Sequence, residues 1–193
     1  MNYRFLSFEE QSALLSWHKW LDNNRGDRAR LRRADCAEDI LLTDAFFHFL
    51  QHMPDSWLDK KQMMPSAAVA GLLSHVKEDK RIDSKGYQPK DKSKQRNIAS
   101  FAELLARPVK GGRAPVSELR FQQLQKSHTT DEFYRRMLRA IRLLDCRGNI
   151  VSLANDTLHW HQEFEQYSNQ APSHRLAVLW ATDYFTALPK KSN

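Results

Sequence analysis

The stretch from Thr129 to Leu144, TTDEFYRRMLRAIRLL, constrains the fold of this chain most strongly because its residues sort onto two faces. Thr129 followed three positions later by Glu132 is the pattern of a capping box, which begins an α-helix. At about 100° per residue, the arginines at 135, 139 and 142 share one face, with Arg136 at its edge. The opposite face is apolar and consists of Phe133, Met137, Ala140, Ile141 and Leu144. The stretch therefore predicts a helix that packs against other helices and exposes Arg135, Arg136, Arg139 and Arg142.

Capping patterns of the same kind recur along the chain and favour an all-α fold. Ser7 with Glu10 and Ser100 with Glu103 each predict the start of a helix. Glycine occurs six times and proline seven times, and the alternating runs typical of strands are rare. Further helices are predicted over residues 43–51 and 66–77, from Ser117, over residues 149–167, and from Pro172 to Leu188. In two of these helices we expect the following apolar residues in the core: Phe46, Phe47, Phe49, Leu50, Leu119, Phe121 and Leu124.

The composition is that of an ordinary globular protein with a strong positive charge. Of the 193 residues, 41% are hydrophobic, and the net charge is +7 with a pI of about 9.5. Such a charge favours an anionic partner, above all nucleic acid. Two distant cysteines, Cys36 and Cys146, argue against a disulfide framework or a zinc module, and no apolar run is long enough to cross a membrane. We therefore expect a cytoplasmic protein with no membrane partner.

Residues 78–97, EDKRIDSKGYQPKDKSKQRN, differ in composition from the rest of the chain. Apolar side chains are almost absent, and charged and turn-forming residues dominate. From Lys77 to Arg96 there are six lysines and two arginines, whereas arginine predominates elsewhere. This composition is typical of a flexible, solvated segment. The sequence thus predicts two packed helical lobes, residues 1–77 and 98–193, joined by a basic flexible linker.

A second cluster of arginines lies in LDNNRGDRARLRRA, from Leu21 to Ala34. Asn23, Asn24 and Gly26 are expected to end the first helix, and Asp27 to cap the next one. Backbone N–H groups at a helix start and nearby guanidinium groups together favour a bound phosphate. From this cluster we select as nucleic-acid-binding residues Arg28, Arg32 and Arg33.

A glycine-rich turn, Lys110-Gly111-Gly112-Arg113, offers a further place where backbone could approach a phosphate. It lacks the GxxxxGK[ST] pattern, so it does not indicate a nucleoside triphosphate site. Arg120 follows on the helix that begins at Ser117 and is expected to face solvent. We add to the candidate nucleic-acid-binding residues Lys110, Arg113 and Arg120.

Metal binding and catalysis find little support in the sequence. His48 and His52 have a spacing that can bind metal, but no nearby cysteine or carboxylate completes a ligand set. His159 and Glu163 are interpreted as an ordinary surface pair of a helix. No nucleophile elbow, HExxH motif or carboxylate cluster is present. The interpretation is a protein that is not an enzyme and holds no cofactor and no metal.

Several of these stretches, in this order, resemble one known family. The resemblance rests on WHKWLDNNRGDRARLRRA from Trp17 to Ala34, SFAELLA from Ser100 to Ala106, and GGR with SELRFQQL. It continues through DEFYRRMLRAIRLL, SLANDTLHW and WATDYF, and so spans most of the chain outside residues 78–97. The chain resembles the CasB family, the small subunit of the type I-E CRISPR surveillance complex Cascade.

The resemblance implies a helical, two-lobed, non-catalytic subunit that works in antiviral defence. Two copies would lie side by side with other Cascade subunits and hold an R-loop, which comprises guide RNA paired with target DNA and the displaced DNA strand. Base pairing reads sequence in such complexes, so sequence-independent contacts with the backbone suffice for the protein. The family's basic positions would fall here on Arg32, Arg33, Arg113, Arg120 and the arginines between Arg135 and Arg142.

Two other interpretations of the arginines stay open on the sequence alone. A free-standing helical nucleic-acid-binding protein would read base edges, for which the arginine face offers little Asn, Gln or Ser. A structural scaffold would instead pair its arginines with acidic partner subunits. Binding measurements on single-stranded DNA, double-stranded DNA and RNA separate these interpretations.

Overall fold

In a computed structural model, helices make up 74% of the residues described, which are residues 5–80, 99–108, 112–165 and 171–189. Two dipeptides, β1 (Glu78–Asp79) and β2 (Arg147–Gly148), form a small parallel pairing. The predicted all-α class is confirmed. The helices are α1 (Phe8–Asn23), α2 (Arg25–Arg33), α3 (Ala37–Leu41), α4 (Asp44–His52), α5 (Met63–His75), α6 (Phe101–Ala106), α7 (Glu118–Gln125), α8 (Thr130–Leu143), α9 (Ile150–Glu165) and α10 (Leu176–Ala187).

Helix α5 lies at the centre, where α2, α3, α8 and α9 pack around it. Its residues from Pro65 to His75 are all buried. Small side chains let the neighbours approach closely, and at Gly71 the approach leaves no space for a methyl group. A Cβ there would lie 2.2 Å from Ile40 Cδ1 and 2.3 Å from the Tyr134 hydroxyl. Glycine is therefore required at this position by packing.

The buried apolar residues of both halves of the chain belong to one cluster, from Leu6 through Phe101 to Tyr184. Helices α8 and α9, which follow the predicted linker, pack on α5, which precedes it. Residues 81–97, which are most of the predicted linker, lie outside the described residues, and the division into two lobes stays a prediction. Within the described ranges, no helix is long and apolar enough to cross a membrane.

The chain on either side of residues 81–98 is tied to one short stretch after α8. The Lys77 N–H donates to the Cys146 carbonyl at 2.7 Å, and the Lys80 N–H donates to the Gly148 carbonyl at 2.8 Å. The side chain of Asn149 donates to the Ala99 carbonyl at 2.8 Å. Asp145 and Cys146 adopt left-handed backbone conformations with φ of 55° and 60°, which turns the chain sharply at the end of α8.

The capping predictions are confirmed at Ser7 and Ser100, where both hydrogen bonds of the box form. At the start of α8 only half of the predicted box forms. The Thr129 hydroxyl accepts from the Glu132 N–H at 3.1 Å, but the Glu132 carboxylate accepts from the His128 N–H instead. The predicted start of the last helix is wrong, because Pro172 begins a short 3-10 turn and α10 begins at Leu176.

Two of the residues predicted in the core are exposed. Phe47 is 50% exposed and Leu119 is 66% exposed, whereas the other five expected core residues of their helices are buried. Both helices are short, with nine residues in α4 and eight in α7. A short helix that packs on one side can carry an apolar residue on the other without a pattern long enough to reveal it.

Candidate nucleic-acid interface

Helix α8 presents the two faces that its sequence predicts. Phe133, Met137, Ala140, Ile141 and Leu144 are all buried. The side chains of Arg135, Arg139 and Arg142 are exposed, and Arg136 is half-buried at the edge of their face. The predicted arginine stripe therefore points away from the core of the protein.

A groove of about 710 Å³ runs between α7 and α8. Arg120 of α7 faces three arginines of α8 across it, so positive charge is contributed from both helices. Apolar atoms of Val116, Leu124 and Ala140 line it as well. The arginines of the groove are Arg120, Arg136, Arg139 and Arg142.

A second concavity, of about 370 Å³, lies where α2, α5 and the end of α8 meet. Ala29 and Arg32 of α2, His75 of α5, Arg142 of α8 and Cys146 line it. Because Arg142 also lines the groove, the two concavities adjoin. We call their five arginines together the arginine surface: Arg32, Arg120, Arg136, Arg139 and Arg142.

Most arginines of this surface have no acidic partner within the described part of the chain. Among the residues that the structure describes, no carboxylate forms an ion pair with Arg32, Arg120, Arg139 or Arg142. Elsewhere ion pairs are common, and they include Arg30 with Asp44, Arg107 with Glu103, and Arg147 with Glu78. Unpaired guanidinium groups that share two concavities generate a positive potential, which favours a polyanion.

Arg136 differs from the other arginines of the surface because the protein itself occupies its guanidinium group. It pairs with Glu132 one turn earlier and donates to the Gln123 carbonyl and the Ser127 hydroxyl. Hydrogen bonding from the His128 N–H, with a smaller contribution from Arg136, lowers the pKa of Glu132. Arg136 therefore fastens the end of α7 to α8, and its selection as a nucleic-acid-binding residue stays a prediction.

Arg28, another residue selected from the sequence, is largely buried, and its role in nucleic-acid binding stays a prediction. Its side chain is 15% exposed and lies 3.1 Å from the Asp22 carboxylate. The predicted cap at Asp27 is wrong, because α2 begins at Arg25 after Asn24. The Asp27 carboxylate lies 2.7 Å from His48 Nδ1, so this acid holds α2 to α4.

The remaining predicted residues divide into three exposed arginines and one lysine. Arg33, Arg113 and Arg135 are exposed but line neither of the two concavities. Lys110 lies outside the described residues. A role for these four residues in nucleic-acid binding stays a prediction.

Three residues of the second concavity were not selected from the sequence, and two of them, His75 and Cys146, carry polar or reactive side chains. His75 is 4% exposed, and burial together with the charges of Arg32 and Arg142 lowers its pKa to about 4. Neither residue belongs to a local motif. They meet because the turn after α8 brings Cys146 to the end of α5, a contact between distant parts of the chain.

The histidines that the sequence suggested as possible metal ligands are occupied by other contacts. His48 contacts Asp27, and no group of three metal-ligating side chains occurs among the described residues. His159 is 2% exposed and lies 2.9 Å from Glu163, so the interpretation of a surface pair is wrong for the histidine. The ring centroids of Phe5 and His159 lie 4.6 Å apart, so Phe5 helps to cover the imidazole.

The fold and the arginine surface define a helical, basic protein whose unpaired arginines are suited to a polyanionic ligand. The family model of CRISPR-associated protein Cse2 matches residues 27–185, which is most of the chain. The chain belongs to this family, also called CasB, the small subunit of the type I-E Cascade complex. Membership implies other Cascade subunits as partners. No curated protein and no solved structure matches the chain.

Proposed function

We propose that this chain is a non-catalytic, nucleic-acid-binding subunit of Cascade that stabilises the R-loop in the cytoplasm. Its arginines contact phosphates of the guide RNA–target DNA heteroduplex and of the displaced strand without reading sequence. Two copies lie side by side in the assembled complex and extend the surface along the strands. The observation that carries the proposal is the arginine surface, in which four arginines lack acidic partners within the described part of the chain.

The energetics of strand exchange explain why a surface that contacts only phosphates is sufficient to stabilise an R-loop. Forming an R-loop replaces a DNA duplex with an RNA–DNA duplex of similar stability, so modest contacts with backbone determine the balance. Contacts with the displaced strand need no base readout, because each phosphate carries the same charge. Arginine suits this task since its planar guanidinium group donates two parallel hydrogen bonds to one phosphate.

The test is binding of the purified protein to single-stranded DNA, double-stranded DNA and RNA, measured by fluorescence anisotropy over a series of salt concentrations. We expect sequence-independent binding that weakens roughly a thousandfold between about 50 and 200 mM salt if about six phosphates are contacted. The Arg139→Gln/Arg142→Gln variant removes two unpaired charges from α8. Its salt slope should fall by about 1.4 to 1.8, since each lost contact removes about 0.7 to 0.9.

The matched control is the Arg30→Gln/Arg107→Gln variant, which loses the same charge from arginines that pair with Asp44 and Glu103. We expect its salt slope to equal that of the parent protein. Equal losses in both variants would show that net charge alone governs binding and would contradict a role for the arginine surface.

The scaffold alternative gives a different result in the same experiment. If the arginines contact only partner subunits, the purified protein does not bind nucleic acid, and the Arg139→Gln/Arg142→Gln variant fails to enter the assembled complex. If they hold strands, the variant enters the complex and the R-loop it forms dissociates faster than that of the parent.

A further inference from the structure

The second concavity brings together groups from three separate parts of the chain. Arg32 comes from α2, His75 from the end of α5, and Arg142 from the last turn of α8. Leu31 is fully buried and anchors α2, so the backbone next to Arg32 is held in place. The concavity is therefore part of the rigid fold.

Among the described residues, no carboxylate compensates the positive charge of this concavity. Within the described ranges, neither Arg32 nor Arg142 pairs with a carboxylate, although both act on the same buried imidazole. The two guanidinium groups near this buried imidazole repel each other, and an anion bound between them would offset that repulsion. A phosphate group fits this need, since its oxygens accept from both guanidinium groups.

The imidazole of His75 adds a second, independent indication of a ligand. Its Nε2 atom is buried and has no hydrogen-bond partner among the described residues. A buried polar atom without a partner costs free energy. At neutral pH the ring is uncharged, because burial and the two arginines lower its pKa to about 4. In the tautomer that carries its proton on Nε2, the neutral imidazole has one N–H donor there, and a phosphate oxygen would supply the missing acceptor.

We propose that this concavity is a seat for a single phosphate group, held by Arg32 and Arg142 with His75 at its base. The proposal deepens the proposed function, on which it rests for the source of the phosphate: one phosphodiester of a bound strand occupies the seat. The other arginines of the surface make looser contacts along the groove. The seat thereby fixes the position of the strand on α8.

Cys146 provides a reporter at the edge of the seat. It is half-buried, lines the concavity, and lies in the left-handed turn that follows Arg142. The chain has one other cysteine, Cys36, so a Cys36→Ser protein carries a single thiol. A ligand in the seat should shield this thiol from iodoacetamide, a neutral reagent whose approach does not depend on the local charge.

The experiment measures the rate of Cys146 alkylation in the Cys36→Ser protein with inorganic phosphate, with chloride at equal ionic strength, and with oligothymidine. At a ligand concentration of about twice Kd, alkylation should slow about threefold, because one third of the sites stay free. A methylphosphonate oligothymidine, which has no backbone charge, should not protect. Protection by oligothymidine alone assigns the seat to a strand phosphodiester, and protection by inorganic phosphate as well assigns it to any phosphate group.

Two variants test whether the protection of Cys146 depends on Arg32. Arg32→Gln should abolish the protection, whereas Arg30→Gln, on the same helix but paired with Asp44, should retain it. A nitrogen NMR spectrum of His75, assigned with His75→Gln, gives a second readout: its Nε2 signal should shift when phosphate is added to the parent and stay unchanged in Arg32→Gln.

Failure of the seat and failure of the proposed function give different results. If oligothymidine binds by anisotropy but neither protects Cys146 nor shifts His75, the seat is overturned and strand binding stands. If inorganic phosphate protects Cys146 while no nucleic acid binds, the seat stands and the proposed function fails. Protection that is the same in the Arg32→Gln protein also overturns the seat.

Discussion

Helices α5 and α8 pack against each other, yet they relate to the rest of the protein in different ways. Helix α5 is buried on all sides from Pro65 to His75 and is rich in alanine and other small residues. Helix α8 buries one face and exposes three arginines on the other. Packing accounts for nearly every residue of α5, but it accounts for only one face of α8.

The difference separates what the fold requires from what a ligand requires. A side chain on α5 cannot change without disturbing its neighbours, because interiors are close-packed. The exposed arginines of α8 make no ion pair within the described part of the chain, so folding gains little from them. Substitutions on α5 should therefore change stability, and substitutions on the arginine face of α8 should change binding.

The largest effect is expected at His75, where α5 meets the arginine surface. Its pKa in the folded protein, about 4, lies below the ordinary value of 6.5, so the unfolded chain takes up the proton more readily. Stability from this residue is present above pH 6.5 and is lost as the pH falls towards 4. Between pH 7 and pH 4, the free energy of unfolding measured with urea should fall by about 3 kcal/mol more in the parent than in His75→Gln, because each pKa unit corresponds to 1.36 kcal/mol. Equal losses in both proteins would show that His75 is not held neutral by the fold.

The next effect is expected at Gly71, the closest approach between α5 and its neighbours. Gly71→Ala inserts a methyl group against Ile40 and Tyr134, and we expect a loss of about 2 kcal/mol in the free energy of unfolding after the gain in helix propensity. Adding Ile40→Val and Tyr134→Phe removes the two atoms that clash. With both of these substitutions present, Gly71→Ala should lower the free energy of unfolding much less than it does in the parent. An equal loss in both backgrounds would show that the strain lies elsewhere.

A smaller effect of opposite sign is expected from Tyr134→Phe alone. The Tyr134 hydroxyl is buried in the contact of α8 with α5 and has no hydrogen-bond partner among the described residues. Burial raises the pKa of this hydroxyl, so it stays protonated and uncharged at neutral pH. Removing an unpartnered buried hydroxyl should stabilise the protein by up to about 1 kcal/mol, measured by chemical denaturation. A loss of stability would indicate a partner for the hydroxyl.

The smallest stability effect is expected on the outer face of α8. Arg139→Gln/Arg142→Gln should change the free energy of unfolding by less than about 0.5 kcal/mol, because exposed charges without partners contribute little to folding. The same variant should show the reduced salt slope for nucleic acid. A large loss of stability would mean that these arginines serve the fold, and the contrast between the two helices would fail.

Much of the fold could be predicted from the sequence because the signals are local. The caps at Ser7 and Ser100 and the two faces of α8 depend on residues within a few turns of one another. Phe47 and Leu119 could not be assigned in the same way. Their helices are too short for periodicity to decide which apolar residue lies on the buried side.

The candidate site was only partly predictable, since its members are joined by tertiary contacts. Charge patterning selected Arg32, Arg120, Arg139 and Arg142, which line the arginine surface, and their binding of nucleic acid stays a prediction. It could not reveal that Asp22 occupies Arg28, nor that Gln123 and Ser127 occupy Arg136. His75 was missed because its surroundings come from α2 and α8, which no short motif encodes.

The hydrogen bonds from Lys80 to Gly148 and from Asn149 to Ala99 hold two positions that are 19 residues apart beside one pair of neighbouring residues. Lys80 and Ala99 therefore lie close together in the folded protein. A pair of spectroscopic labels at these two positions should report a short distance, which lengthens when the contacts with the turn after α8 are lost.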